Sequence, residues 1–480
     1  MALLSVSASA IAAVDGISGA SLTKKDSKEQ TQQTAAKEDK KGGVREHLQN
    51  HYKFYGFVRN YMAYDSRESV AGTGDLFYYL PKDRNLNELG EDLNQKNSFR
   101  FLSITSRVGV DVSGYLIGGT SIGGKIEADF YAGLSGVTGT ATLRLRQAYL
   151  TLGWKDLPLG KDNMASVSLK MGQAWHPMAA DICPVFTLET GAPFGPFSRT
   201  PQLTMDANLG EHFTLTASAL WQMQYTSAGP DGPSANYIKY SCTPEGYIGA
   251  TLKFGGWMAR VGADILSIKP RTTGTSRLFL TADDGTPDWK DVTVKVSDRI
   301  TTVSPFVYMQ YVRGKFAVKA KTIYASAGEH MNIQGGYGVT RKFEEDGQDG
   351  HWEYTPTHSS STWLTVSYGK KWVPMLMLGY YQNFGTAEDL INVDGKTSPG
   401  DFYFSKNSFK NLNRLYKVAP SIVYNLGKLA IGLDYEFSGA QFGQEKDADG
   451  NSLYNARGLA TEGLHWVCNH RVKCMVKFTF

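Results

Sequence analysis

The sequence predicts an all-β fold: a transmembrane antiparallel β-barrel of about sixteen strands, with short periplasmic turns and long extracellular loops. Three observations carry this. Apolar and polar residues alternate along many strand-length stretches, and short and long connections alternate between those stretches. No run approaches the roughly 18–20 consecutive apolar residues that a membrane helix needs. Glycine is abundant, at 51 of 480 residues, and aromatic residues make up 12%. The mean hydropathy of −0.31 suits a barrel as well as a soluble β protein, because one face of each barrel strand meets lipid while the other meets water.

The closing strand shows the alternation most clearly. Val472, Cys474, Val476, Phe478 and Phe480 alternate with Arg471, Lys473 and Lys477, the period of a strand with unlike faces. Leu429, Ile431, Leu433, Tyr435 and Phe437 alternate with Lys428, Asp434 and Glu436. Leu102, Ile104, Val108, Val110 and Val112 alternate with Ser103, Thr105, Arg107 and Asp111, read as one strand starting near residue 99. Ile122, Ile126, Ala128 and Phe130 alternate with Lys125, Glu127 and Asp129, and Phe316, Val318, Ala320 and Tyr324 with Lys315, Lys319 and Lys321.

A soluble sandwich also alternates, so the connections decide. Tight links such as Asn208-Leu209-Gly210-Glu211, Phe254-Gly255-Gly256-Trp257 and Asn425-Leu426-Gly427-Lys428 take turns with long polar connections near 66–98, 175–199, 226–244, 270–298, 327–360, 386–411 and 439–464. The short connection near Gly133–Gly139 breaks this rule on the long-loop side. An even strand number places both ends of the barrel on the periplasmic side. Tyr52, Trp154, Trp257, Trp372 and Tyr424 fall at strand ends, as interfacial girdles require. The expected location is the bacterial outer membrane, with the bilayer and a lipopolysaccharide-type outer leaflet around the barrel.

Charge is nearly balanced, 50 basic against 46 acidic residues for a net +4, and the two signs are interspersed. No basic block carries interleaved aromatics, which argues against nucleic acid as a partner. Cys183, Cys242, Cys468 and Cys474 form no CxxC pair, so zinc-ribbon and thioredoxin-like readings fail. Cys468 and Cys474, six residues apart on one strand, lie roughly 20 Å from each other at about 3.3 Å per residue, too far to bridge. Cys183 and Cys242 fall in two different surface loops, where an oxidised pair is conceivable.

Residues 1–50 read as an exported N-terminal segment and residues 51–480 as the barrel. The stretch from Leu3 to Ala13 resembles the end of a signal-peptide apolar region, although no basic segment precedes it. Residues 15–50 are polar and lack heptads, so a disordered or frayed helical tail is expected. They are too few to plug a larger barrel.

Leu143-Arg144-Leu145-Arg146-Gln147-Ala148-Tyr149, Gly172-Gln173-Ala174-Trp175 before a long loop, and Arg199-Thr200-Pro201-Gln202 resemble the DcaP-like trimeric outer-membrane porins, neighbours of the phosphate-selective porins. Phe480 resembles the C-terminal signal read by the outer-membrane assembly machinery. The resemblance implies sixteen strands, a homotrimer, a third loop at 175–199 folded into the lumen, and passive diffusion of small polar, often anionic, solutes. The family's N-terminal coiled coil finds no counterpart in residues 15–50.

Candidate pore-lining residues are Arg107, Arg144, Arg146, Lys170, Arg199, Lys319 and Lys321, whose parity or position at strand ends points them at the lumen. Guanidinium groups suit carboxylates and phosphates, although Glu127, Asp129, Asp434 and Glu436 on the same face oppose them. The candidate constriction loop carries His176, Asp181 and Glu189. A one-residue bulge would reverse parity, and the stretch from Arg146 to Tyr149 hints at one.

Other chemistry is weakly supported. Asp447-Ala448-Asp449-Gly450-Asn451 departs from an EF-hand, with Ser452 at the glycine position and Gly458 at the glutamate position. The nine histidines show no metal spacing, and His358 beside Ser359, Ser360 and Ser361 is adjacency, not a triad. No catalytic residue, metal or cofactor is therefore expected. The competing readings are a non-conducting barrel that anchors the envelope and an outer-membrane hydrolase.

Overall fold

The computed structural model describes residues 51–480 apart from 73–76, 104–105, 132–141, 160–162, 180, 193, 282–283, 346, 394–395, 398–400 and 406–407. The N-terminal segment 1–50 and the short connection at 133–139 thus lie outside the described residues.

Among the described residues, sixteen antiparallel walls close into a barrel. They are β1 (Tyr52–Asp65), β2 (Arg107–Ile117), β3 (Thr120–Tyr131), β4 (Thr142–Leu159), β5 (Asn163–Trp175), β6 (Arg199–Leu209), β7 (Phe213–Leu220) and β8 (Glu245–Phe254), then β9 (Trp257–Ile268), β10 (Ile300–Arg313), β11 (Phe316–Ser326), β12 (Trp352–Tyr368), β13 (Trp372–Thr386), β14 (Leu412–Leu426), β15 (Leu429–Phe442) and β16 (His465–Thr479). Closure joins β1 to β16, with Phe57 opposite Thr479 and Asp65 opposite Arg471. A closed ladder leaves no backbone edge unpaired in lipid, where each such group would be costly.

The faces follow the alternation. On β16, Val472, Val476 and Phe478 are exposed outward while Arg471, Lys473 and Lys477 are buried inside. Trp257 packs on Tyr311 and Trp372 on Tyr424 beside the short turns, with ring centroids 4.7 and 4.4 Å apart.

The structure departs from the sequence reading at two strands. The second wall is described in two pieces, Ser98–Leu102 and β2, which both pair with β1 in registers one residue apart. β12 begins at Trp352, nine residues before the expected start near 361. Its first residues rise beyond the membrane and pair with Gly336–Lys342 of the preceding loop, where no lipid face imposes apolar alternation. The loop after β9 likewise holds a hairpin, Thr273–Thr281 with Pro287–Lys295.

The bulge expected near Arg146 is present. Glu127 pairs with Gln147 and Ala128 with Leu145, so Arg146 is the extra residue. Arg146 and Gln147 are both buried in consequence, as a bulge permits by sending two successive side chains to one side.

Candidate functional site in the barrel lumen

The connection between β5 and β6 folds inward and crosses the barrel. Met178, Cys183, Val185, Ala192 and Phe194 join one apolar cluster with Trp363, Met377, Tyr381 and Leu415 of the wall. Gly432 on β15 and Gly379 on β13 face inward beneath two rings: a Cβ on Gly432 would collide with Phe186, and one on Gly379 with Phe194. Their lack of a side chain is what lets the loop seat so closely. Burial of each phenyl ring contributes about 1.5–3 kcal/mol.

Polar contacts fix the same loop. Lys473 of β16 donates to Thr187 and Thr190 and lies 2.9 Å from Asp434 Oδ2 and beside Glu436. Thr190 Oγ1 donates to Glu436 Oε1 at 2.6 Å, and Lys417 pairs with Glu436 at 3.0 Å. Asp181 accepts from Arg260 Nη1 at 2.8 Å. The Cys183 thiol is buried, and burial pushes its ionisation up.

The other side of the lumen, from β1 to β7, carries the basic candidates. Arg144 grips Asp129 through Nε and Nη2, at 2.9 and 2.8 Å. Arg146 bridges Glu127 and Asp129, and Arg107 lies 3.6 Å from Glu127. Arg199 differs. Its Nε donates to Gln224 Oε1 at 3.0 Å, its Nη1 is buried without a hydrogen-bond partner, and it forms no ion pair among the described residues. It stacks on Trp175, 5.0 Å from the ring centroid, with Arg146 over the same ring at 5.7 Å. Arg107, Arg144 and Arg146 thus gather on Glu127 and Asp129, with Arg199 beside them. Lys170 stands over Tyr149 on the partly accessible wall below.

Several expected placements need correction. Lys321 does not line a water path: it is 2% exposed, donates to the Met178 carbonyl and lies 4.3 Å from the Phe306 ring centroid, so it anchors the loop. Lys319, on the same strand, is only partly buried. His176 and Asp181 turn to the β8–β9 wall instead of the passage, bonded to Glu245 and Arg260. The side chain of Glu189 lies outside the described residues. Cys183 and Cys242 are both free thiols, one buried in the lumen and the other exposed after the helix Asn236–Ser241, so no bond tethers their loops.

Arg59 and Lys477, which are not among the pore-lining candidates from the sequence, join Arg107 around the Phe57 ring at 5.3, 5.4 and 5.2 Å. Arg59 stands on the polar side of an alternating strand, which is the signal that could have found it.

Residues 21–166 match the family model described as DcaP outer membrane protein. A comparison with curated proteins finds no match. Among solved structures, the chain is similar to the outer membrane channel DcaP of Acinetobacter baumannii at 16% identity and a TM-score of 0.57, covering 89% of this chain and 97% of that one. It is also similar to OmpT of Vibrio cholerae (11% identity, TM-score 0.48, 89% and 97% covered). An anion-selective porin from Comamonas acidovorans gives 12% identity and a TM-score of 0.47, with 89% and 99% covered. The family match over residues 21–166 and a fold shared with the DcaP channel across the barrel make the chain similar to the DcaP outer membrane proteins, a porin-type β-barrel of the bacterial outer membrane.

Proposed function

We propose that this porin passes small anionic solutes, carboxylates or phosphates, by passive diffusion along the arginine-bearing wall, one path per protomer of a homotrimer. The observation that carries the reading is the gathering of guanidinium groups on this wall: the partly exposed Arg144 and the buried Arg107 and Arg146 pair with Glu127 and Asp129, and the buried Arg199 behind them adds a positive charge with no ion-pair partner among the described residues. Near a charge a few Å away, an ion interacts at about 4 kcal/mol for an effective dielectric near 20, before screening. A fraction of that favours anions several-fold, and added salt erodes it.

The test is the reversal potential of single channels in a potassium chloride gradient. The wild type should prefer chloride, and Arg199→Ala, as well as Arg144→Ala with Arg146→Ala, should move the potential toward cations. A wild-type channel that prefers potassium defeats the reading. A second reading, a barrel that anchors and conducts little, is favoured by the dense packing of the loop on the wall from β12 to β16. A folded protein that gives no steady current in a planar bilayer would establish it.

A further inference from the structure

Four side chains from four separate segments meet where the folded-in loop leaves the wall. His176 follows β5, Glu245 opens β8, Asp264 lies on β9, and His330 sits in the 3-10 turn Gly328–Met331 of the loop after β11. All four are at most 2% exposed. His176 Nε2 lies 2.5 Å from Glu245 Oε1 and 3.6 Å from Asp264 Oδ1. His330 Nε2 lies 3.1 Å from Asp264 Oδ2 and 3.7 Å from Glu245 Oε1. Glu245 Oε2 and Asp264 Oδ1 are buried with no hydrogen-bond partner among the described residues. Buried carboxylates are paired or hold a metal, because an uncompensated charge there is costly.

The second ring nitrogens divide the roles of the two imidazoles. His176 Nδ1 accepts from the Met178 N–H at 3.0 Å. That ring is then neutral and carries its proton on Nε2, which donates to Glu245. His330 Nδ1 faces the Ala327 carbonyl at 3.2 Å and donates to it, the arrangement that turns the Nε2 lone pair of a neutral imidazole toward a metal. Two buried carboxylates thus meet at the His330 imidazole, and each keeps an oxygen with no hydrogen-bond partner among the described residues. A divalent ion would balance both carboxylates and take the His330 Nε2 lone pair.

The spacing fits as well. Bonds of about 2.0–2.2 Å to nitrogen and oxygen place neighbouring ligand atoms of a tetrahedral site roughly 3.3–3.5 Å apart. The 3.1 and 3.7 Å separations bracket that range. Mixed imidazole and carboxylate ligands select a divalent first-row ion of the zinc type over calcium or magnesium.

We infer that Glu245, Asp264 and His330 bind one divalent transition-metal ion, and that His176 is a positioning residue which holds Glu245 in place. The ion would join β8, β9 and the loop after β11, and through His176 the root of the folded-in loop.

The test uses full-length protein refolded into detergent from a metal-free stock and titrated with Co2+, then Zn2+. One Co2+ per chain should bind, with visible absorption bands that Zn2+ abolishes. His330→Ala and Asp264→Asn should lose binding. His176→Ala should keep the bands but weaken binding by about 10–100-fold. Heat-modifiable migration reports whether each variant folds. Should a variant fail to fold, X-ray absorption of the wild-type zinc form decides: a nitrogen and oxygen shell with one imidazole supports the site, and a sulfur shell overturns it. A folded wild type that takes up neither ion at millimolar concentration, or metal retained unchanged in folded His330→Ala and Asp264→Asn, also overturns it.

Discussion

The Phe186 ring fills the space beside Gly432 that any larger side chain would need. The folded-in loop and the β15 wall are thus fitted to each other at one atom's resolution. Gly432→Ala should push the ring away and loosen the loop, at a cost of about 1–3 kcal/mol for overpacking. The expected outcome is a lower temperature for loss of heat-modifiable migration, together with a larger single-channel conductance. Combining it with Phe186→Ala should restore much of the stability.

Lys473 is enclosed by Asp434, Glu436, Thr187 and Thr190. Lys473→Met keeps the volume but leaves Asp434 and Glu436 short of a cation in a buried place. Breaking a buried pair from one side costs about 3–5 kcal/mol. Urea unfolding in detergent, followed by tryptophan fluorescence, should show a loss of that order. A double variant that also replaces Asp434 with Asn should recover part of it.

The loop thiols should behave oppositely. Cys242 is exposed and should react quickly with a water-soluble maleimide. Cys183 is buried, and burial holds its thiol protonated, so it should react only after unfolding, since the thiolate is the nucleophile. Mass analysis without reductant should find both thiols free, and a disulfide between them would contradict the structure.

The C-terminal residue closes the barrel. The Phe480 N–H donates to the Gly56 carbonyl at 3.0 Å, and its ring crowds the position where a Gly56 Cβ would stand. Phe480→Ala, or removal of the last residues, should lower the yield of folded barrel without changing the synthesis of the chain. Equal membrane yield and equal heat-modifiable migration would count against this.

How much of this was legible in the sequence depends on where a residue meets lipid. Within the membrane the outward set is forced to be apolar, so the parity of Val472, Lys473 and Phe478 could be read directly. Above it the constraint vanishes. Trp352-Glu353-Tyr354-Thr355-Pro356-Thr357 pairs with the preceding loop, and its sequence alone reads as part of the long connection 327–360. Parity turns Lys321 away from lipid, but parity does not say whether such a position meets water or the Met178 carbonyl. That is set by a loop more than a hundred residues away. The pairing of Arg144 with Asp129 follows from adjacent strands whose mixed charges were visible. The meeting of His176, Glu245, Asp264 and His330 was not, because no two of them share a local motif.

The extra residue in β4 has a consequence for how such a pore can change over generations. Without Arg146 the order Leu143, Arg144, Leu145, Gln147, Ala148 would alternate without interruption, and the ladder to β3 would run in one register on both sides. Loss of a single codon would remove a cation from the lumen and leave every lipid-facing side chain on its own side. Most one-residue deletions in a barrel strand reverse the faces beyond them and are lethal to insertion. At this position a deletion acts as a charge substitution, giving lineages a short route between permeation preferences that spares assembly.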